Sequence, residues 1–231
     1  MNLSLSAAEW TAVMLSLKVS LWCTACLCVP GVAVGWLLAR REFPGKALLD
    51  SLVHLPLVLP PVVPGYLLLL LLGSRGPLGR WLDAGFGIRL AFTWQGAVIA
   101  AAVMAFPLMV RAVRLSIELV DRRLEDAARS LGAAPWRVFA TITLPLALPG
   151  LLTGLVLAFS RSLGEFGATI TFVGNIPGET RTLALAIYSA AQTPGNELPA
   201  LRLVLLSLVL ALGALYAAER LAAQARRRLQ G

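Results

Sequence analysis

Charge is scarce in this sequence: Asp, Glu, Lys and Arg make up 14% of its 231 residues, against about 25% in soluble domains. Histidine is nearly missing, with His54 alone. Cysteine is limited to Cys23, Cys26 and Cys28, all inside the first apolar run. A zinc site needs about four ligands from such residues, so none is expected, and the cysteines read as small apolar side chains. Acidic residues are missing from the apolar stretches 52–72, 90–110, 138–160 and 203–218, so no intramembrane carboxylate offers a proton relay. The only Gly-Lys pair, Gly45-Lys46, fails as a phosphate-binding loop. Arg40 occupies the first glycine position, and Ala47 stands where Ser or Thr would meet magnesium. No catalytic residue and no cofactor is expected in this chain, and it cannot hydrolyse ATP by itself.

Apolar residues are what the sequence has, at 58% with a mean hydropathy of +0.79. So little charge could not cover a soluble surface, and several runs reach the roughly 20 residues that cross a bilayer. The reading is an all-α polytopic membrane protein, a single transmembrane domain over 1–231, with five spans at about 10–39, 52–72, 90–110, 138–160 and 203–218. The second span holds Pro56, Pro60, Pro61 and Pro64, which predicts a kinked or broken helix packed inside a bundle. Between Arg161 and Pro199 the apolar pieces are short, favouring re-entrant or interfacial helices over a further crossing. Met1–Ala8 lacks the basic residues of a signal peptide. No fused regulatory domain is expected, since few residues follow the last span.

Net charge is +8, which could suggest nucleic acid, but the basic residues sit in short tracts between apolar runs, so no nucleic-acid partner is expected. They report topology instead. Segments 40–51, 111–137 and the C-terminal tail fall on one side and hold thirteen of the 20 Lys and Arg. The positive-inside rule then puts that side in the cytoplasm, with the N-terminus outside (periplasmic) and the C-terminus inside. Arg226, Arg227 and Arg228 in the tail are expected to fix topology or meet anionic membrane lipid.

The tract 111–137 is the most informative polar segment. It runs Glu125-Asp126-Ala127-Ala128-Arg129-Ser130-Leu131-Gly132, followed by Pro135 and, further on, Leu144-Pro145. Small residues beside the two acids suit a short helix that another surface approaches closely. Gly132 suits a helix end where φ is positive, and Pro135 the first turn of the next helix. On the residues alone, a solvated amphipathic loop fits as well. Other candidates lie at the far end of the fourth span. Arg161 and Glu165, four apart, either pair with each other on a helix or meet a partner or an anion. Ser160, Ser162, Thr169 and Thr171 offer hydroxyl donors to a passing oxyanion, or simply mark helix contacts. His54 is expected to make a local hydrogen bond at the cytoplasmic interface, and Lys18 to snorkel to a headgroup.

The spacing from Asp126-Ala127-Ala128 through Gly132 to Ile142 and Leu144-Pro145 resembles the EAA signature of ATP-binding-cassette importer permeases, with Asp126 in place of the usual Glu. Residues 43–50, 54–61, 162–169 and 175–182 are similar to the molybdate importer permeases, and the sulfate/thiosulfate permeases share related versions of several. The resemblance implies a MetI-like permease fold with a cytoplasmic coupling loop at 111–137, in which Glu125, Asp126, Ala127, Ala128 and Gly132 dock an ATPase. It further implies a homodimer in the bacterial inner membrane, two ATPase subunits that bind the ATP, and a periplasmic molybdate-binding protein. Sulfate, thiosulfate or tungstate is the alternative cargo. A stand-alone secondary anion carrier is the alternative mechanism. Ser160, Arg161, Glu165 and Thr169 would then lie near the pathway or its periplasmic mouth.

Overall fold

The computed structural model describes the backbone of residues 6–230 and the side chains of residues 6–217 and of Arg220. Every regular element in it is helical. In chain order they are α1 (Ala7–Arg40), α2 (Lys46–Val58), α3 (Val62–Leu72), α4 (Pro77–Phe86), α5 (Trp94–Glu118), α6 (Arg122–Ser130), α7 (Pro135–Val138), α8 (Leu144–Leu163), α9 (Gly167–Val173), α10 (Leu183–Ala191) and α11 (Glu197–Gln230). A π-helical turn, Phe139–Thr143, joins α7 to α8 without a break, so Pro135–Leu163 is one span of 29 residues.

Among the described residues four helical stretches are long and apolar enough to cross a membrane, or five if one bent pair is counted as a single broken span. That pair is α2 and α3, with a bend of 112° between them. Their junction is Leu59-Pro60-Pro61, where two consecutive prolines remove two amide donors and break the helical ladder. The helices α9 and α10, of 7 and 9 residues, reach at most about 14 Å at 1.5 Å per residue. Neither can cross.

The helix α5 is the axis of the bundle. In its most apolar stretch 61% of residues are buried, against 6% in α11, which runs along the outside. Close approach explains the difference. On α1, a Cβ added at Gly31 would lie 2.5 Å from Met109 Cγ, and one at Gly35 would lie 2.8 Å from Val113 Cγ1. On α8, Gly150 and Gly154 face Ser116 and Met109 in the same way. Two glycine pairs with i,i+4 spacing thus press α1 and α8 against α5, with Met109 of α5 meeting both Gly31 and Gly154. In a bilayer, where burial from water gives no drive between helices, such contact is what holds them together.

Several boundaries differ from the sequence expectation for physical reasons. The third span starts at Trp94, because Thr93 Oγ1 accepts the Gly96 amide and caps the helix. It does not stop at Val110. It continues to Glu118, since the polar residues beyond the membrane are good helix formers and Val113 and Ile117 stay buried in the core. The loop 111–137 therefore begins as helix, and its separate part is 119–134. The last helix likewise begins at Glu197 and continues past Ala218. The side chains of Arg226, Arg227 and Arg228 lie outside the described residues. Lys18 rests its ammonium 3.6 Å from the Trp94 ring centroid, a cation–π contact that softens the cost of a charge so far along a span.

Candidate functional site

The polar turn between α5 and α7 is built around a short helix with a defined start and stop. Asp121 caps α6 by accepting the Arg123 amide at 2.9 Å. At the other end the Ala133 amide reaches the Ala128 carbonyl at 3.1 Å, and the Gly132 amide reaches the Arg129 carbonyl at 2.9 Å. Gly132 has φ +85° with open space around its Cα. It is needed there for the left-handed backbone, which a side chain would strain.

This helix has two unlike faces. Inward points Glu125, which is 4% exposed. Its Oε1 accepts hydrogen bonds from Arg40 Nε at 3.1 Å and from the Thr143 hydroxyl at 2.7 Å. Arg40 also donates to the Val120 carbonyl at 2.9 Å. One carboxylate thereby ties the end of α1, the π-helical turn and α6 into a single joint. Burying an ion pair is favourable only when such added hydrogen bonds satisfy it. Outward point Asp126 and Ala127, with Ala128 half-buried. Around them stand apolar side chains with no cover: Leu131 is 89% exposed, Leu119 87%, Trp136 69% and Leu124 50%.

So Glu125 and Asp126, adjacent in sequence, are divided by the helix. Asp126 pairs with Arg129 on its own surface, at 3.2 Å, whereas Glu125 belongs to the interior and not to the exposed face. Arg40 and Thr143 are parts of this joint that sequence reasoning missed. Arg40 reads there as a topological charge. Thr143 sits in Ile142-Thr143-Leu144-Pro145, and the signal for it is Pro145. Lacking an amide hydrogen, Pro145 disrupts the regular ladder, and the turn before it widens so that the Leu144 amide bonds the Phe139 carbonyl five residues back.

A second polar cluster sits at the same end of the bundle. Arg114 on α5 donates to Asp50 at 2.9 Å and to Glu118 at 2.8 Å, which fastens α2 to α5. His54 Nδ1 lies 2.9 Å from the Asp50 carbonyl one turn earlier, a local bond within α2.

At the opposite end of α8 lies another arginine–glutamate pair. Arg161 Nη1 is 2.6 Å from Glu165 Oε2. Glu165 is only 2% exposed, so the pair is no surface feature. Its Oε1 accepts the Ala168 amide at 2.9 Å, at the start of α9. Thr169 is buried beside it, at 2%. Ser160 is exposed, on a cleft of about 380 Å³ shared with Leu183, Ile187 and Ser207. The structure thus brings Arg161, Glu165 and the first turn of α9 together and leaves Ser160 on a different face. Among the described residues no three His, Cys, Asp or Glu side chains converge as a metal site.

Comparison with known proteins adds to this geometry. Residues 31–227 match the family described as binding-protein-dependent transport system inner membrane component. The molybdenum transport system permease protein ModB of Escherichia coli K12 is 61% identical over 224 residues, which are 97% of this chain and 98% of that protein. The sulfate transport system permease protein CysT of the same organism is 41% identical over 162 residues, covering 70% of this chain and 58% of that one. Among solved structures, the MetNI methionine ABC transporter, in an inward-facing conformation, superimposes with a TM-score of 0.71 at 19% identity over 93% of this chain and 94% of the matched one. At that identity the likeness concerns the fold.

Proposed function

We propose, from the premise that the chain belongs to the family of binding-protein-dependent transport system inner membrane components, that it is the permease subunit of an ATP-driven importer carrying molybdate into the cytoplasm. The observation that carries this reading is the 61% identity, along nearly its whole length, to a molybdenum transport permease. The sulfate permease is a more distant relative and covers less of the chain, so sulfate stands second as cargo.

The geometry supports a division of labour. The exposed apolar tip around α6, with Leu131 and Trp136 at its edge, suits insertion into a cleft on a separate ATPase subunit that binds the ATP. The Arg40–Glu125–Thr143 joint behind it passes force from that tip into α1 and into the long α7–α8 helix. The coupling assignment for Asp126, Ala127, Ala128 and Gly132 follows the same surface. Glu125 serves it from inside. Two copies of the chain would enclose one pathway between them, with a periplasmic binding protein delivering the anion from outside. The thirteen-to-seven distribution of Lys and Arg supports placing the α6 end in the cytoplasm and the N-terminus in the periplasm. ATP-driven closure of the ATPases would then rock the bundles between inward- and outward-facing states. Spans with few fixed charges let a dianion pass without trapping it.

The test is ATP hydrolysis and anion uptake in proteoliposomes holding this chain, its ATPase and its binding protein loaded with molybdate, tungstate, sulfate or nothing. Stimulation mainly by molybdate or tungstate is expected. Stimulation by sulfate alone moves the cargo and keeps the importer. Failure of the well-folded chain to retain any ATPase removes the importer reading and favours the secondary carrier.

A further inference from the structure

The unit beyond Arg161 has an unusual construction. Glu165 lies in the three-residue link between α8 and α9 and is almost wholly buried. One of its oxygens holds the first turn of α9 through the Ala168 amide, and the other meets Arg161 of α8. The same first turn is where the broken span packs most tightly. A Cβ on Gly65 of α3 would lie 2.6 Å from the Ala168 carbonyl oxygen. A Cβ on Gly167 would lie 2.6 Å from Pro61 Cβ, at the break between α2 and α3 itself. With backbone set against backbone, α9 and α3 cannot slide independently and move as one body.

This body is joined to α8 by three residues of chain and by the Arg161–Glu165 contact. The contact is ionic without hydrogen-bond alignment: among the described residues Glu165 Oε2 has no hydrogen-bond partner, and the buried Ser162 Oγ has none either. Buried polar atoms left unpaired are costly, so this end holds a looser arrangement than the Glu125 joint, where one oxygen accepts from both Arg40 and Thr143. At its other end, α8 is continuous through the π-helical turn with Thr143, which Glu125 grips.

We infer that Glu165 is the positioning residue that latches the α3–α9 body to α8, so that movement of the coupling helix at one end of α7–α8 repositions the broken span at the other. Glu165 acts through Arg161 and the Ala168 amide, not by touching the anion. This assignment rests on the importer reading above. Its consequence is specific: loosening the latch lets ATP hydrolysis continue without repositioning the broken span.

Two variants of the reconstituted complex test this. Glu165→Gln keeps an oxygen for the Ala168 amide and removes the charge facing Arg161. Arg161→Gln leaves Glu165 and the α9 cap in place, and its half-buried side chain makes misfolding a small concern. In both, anion uptake per ATP hydrolysed falls about tenfold, the size of a typical coupling free energy between sites, while Arg161→Lys keeps most of the unmodified ratio. An unaltered ratio in either Gln variant overturns the latch. So does a parallel fall of uptake, hydrolysis and thermal midpoint, which is the mark of a structural residue. The ratio is read with whichever oxyanion the unmodified complex transports, so a wrong cargo leaves the test intact. Absence of all ATP-driven uptake by the unmodified complex overturns the importer reading and the latch with it.

Discussion

The two ends of the α7–α8 helix each carry a buried glutamate facing an arginine, and the two pairs are built for different work. At the α6 end the cation comes from another helix, 85 residues away in sequence, and a threonine hydroxyl completes the site. At the α9 end the cation is four residues upstream of its partner, and the carboxylate spends its second oxygen on a local amide. The first pair therefore joins distant elements and contributes to the tertiary structure. The second joins only neighbours, leaving the fold to the glycine contacts around it. A charge pair fixes a fold in proportion to the separation it bridges and the completeness of its hydrogen bonding, and two pairs of the same chemistry can be a joint in one place and a latch in another.

Removing Glu125 breaks this comparison most severely. Glu125→Ala leaves Arg40, with 7% of its side chain exposed, buried without its counter-charge, at a cost of about 3–5 kcal/mol. The thermal midpoint of the purified chain falls by roughly 10 °C. The double change Arg40→Met with Glu125→Leu recovers part of that loss, because no charge is left buried alone, although the Thr143 hydroxyl and the Val120 carbonyl lose their partners. If the double variant is as unstable as Glu125→Ala alone, the joint is held by something other than this pair.

Leu131→Asp probes the outward face of the same helix. At 89% exposure the side chain contributes little within the chain, so the midpoint moves by less than about 0.5 kcal/mol equivalent. Retention of the ATPase during purification drops by tenfold or more, on the order of 1.4 kcal/mol or above, as an apolar contact becomes a buried charge. Full retention would show that the tip does not dock. Between these two lies Gly132→Ala. It must hold φ near +85° with a side chain, which costs about 1 kcal/mol, and a drop of a few degrees in the midpoint measures it.

What the sequence shows of this arrangement follows from how local each feature is. The apolar runs, the broken second span at Pro60-Pro61 and the positive φ of Gly132 all depend on residues next to one another, and each is readable in order. The inward turn of Glu125 is not. Two acids stand side by side, and only the phase of α6 against Arg40 and Thr143 decides which is buried. The extension of α5 to Glu118 is hidden for a related reason. Hydropathy marks where the membrane ends, whereas the helix ends where caps and core contacts end. The glycine pairs at 31/35 and 150/154 are not singled out from the sequence, because their spacing alone does not name the partner, α5, that they press against. Arg161 and Glu165 show a plain i,i+4 pairing, yet the burial of Glu165 is announced by no local pattern.

The smallest expected effect separates burial from charge as the source of the joint's strength. Glu125 faces two arginines. Arg40 bonds it within the interior, whereas Arg129 approaches the other oxygen at 3.7 Å with 53% of its side chain in solvent. Both carry the same charge, and a count of ion pairs treats them alike. An exposed pair gains little attraction in water, loses side-chain freedom and is screened by salt. Arg129→Ala therefore shifts stability by no more than about 0.5 kcal/mol, a fraction of the loss from removing Glu125, and the shift shrinks further as ionic strength rises. Thermal melts of Arg129→Ala at low and high salt check this. A loss that is large and independent of salt would show that Arg129 shares the buried joint, and the contrast between the two ends of α7–α8 would then rest on the number of cations and not on their burial.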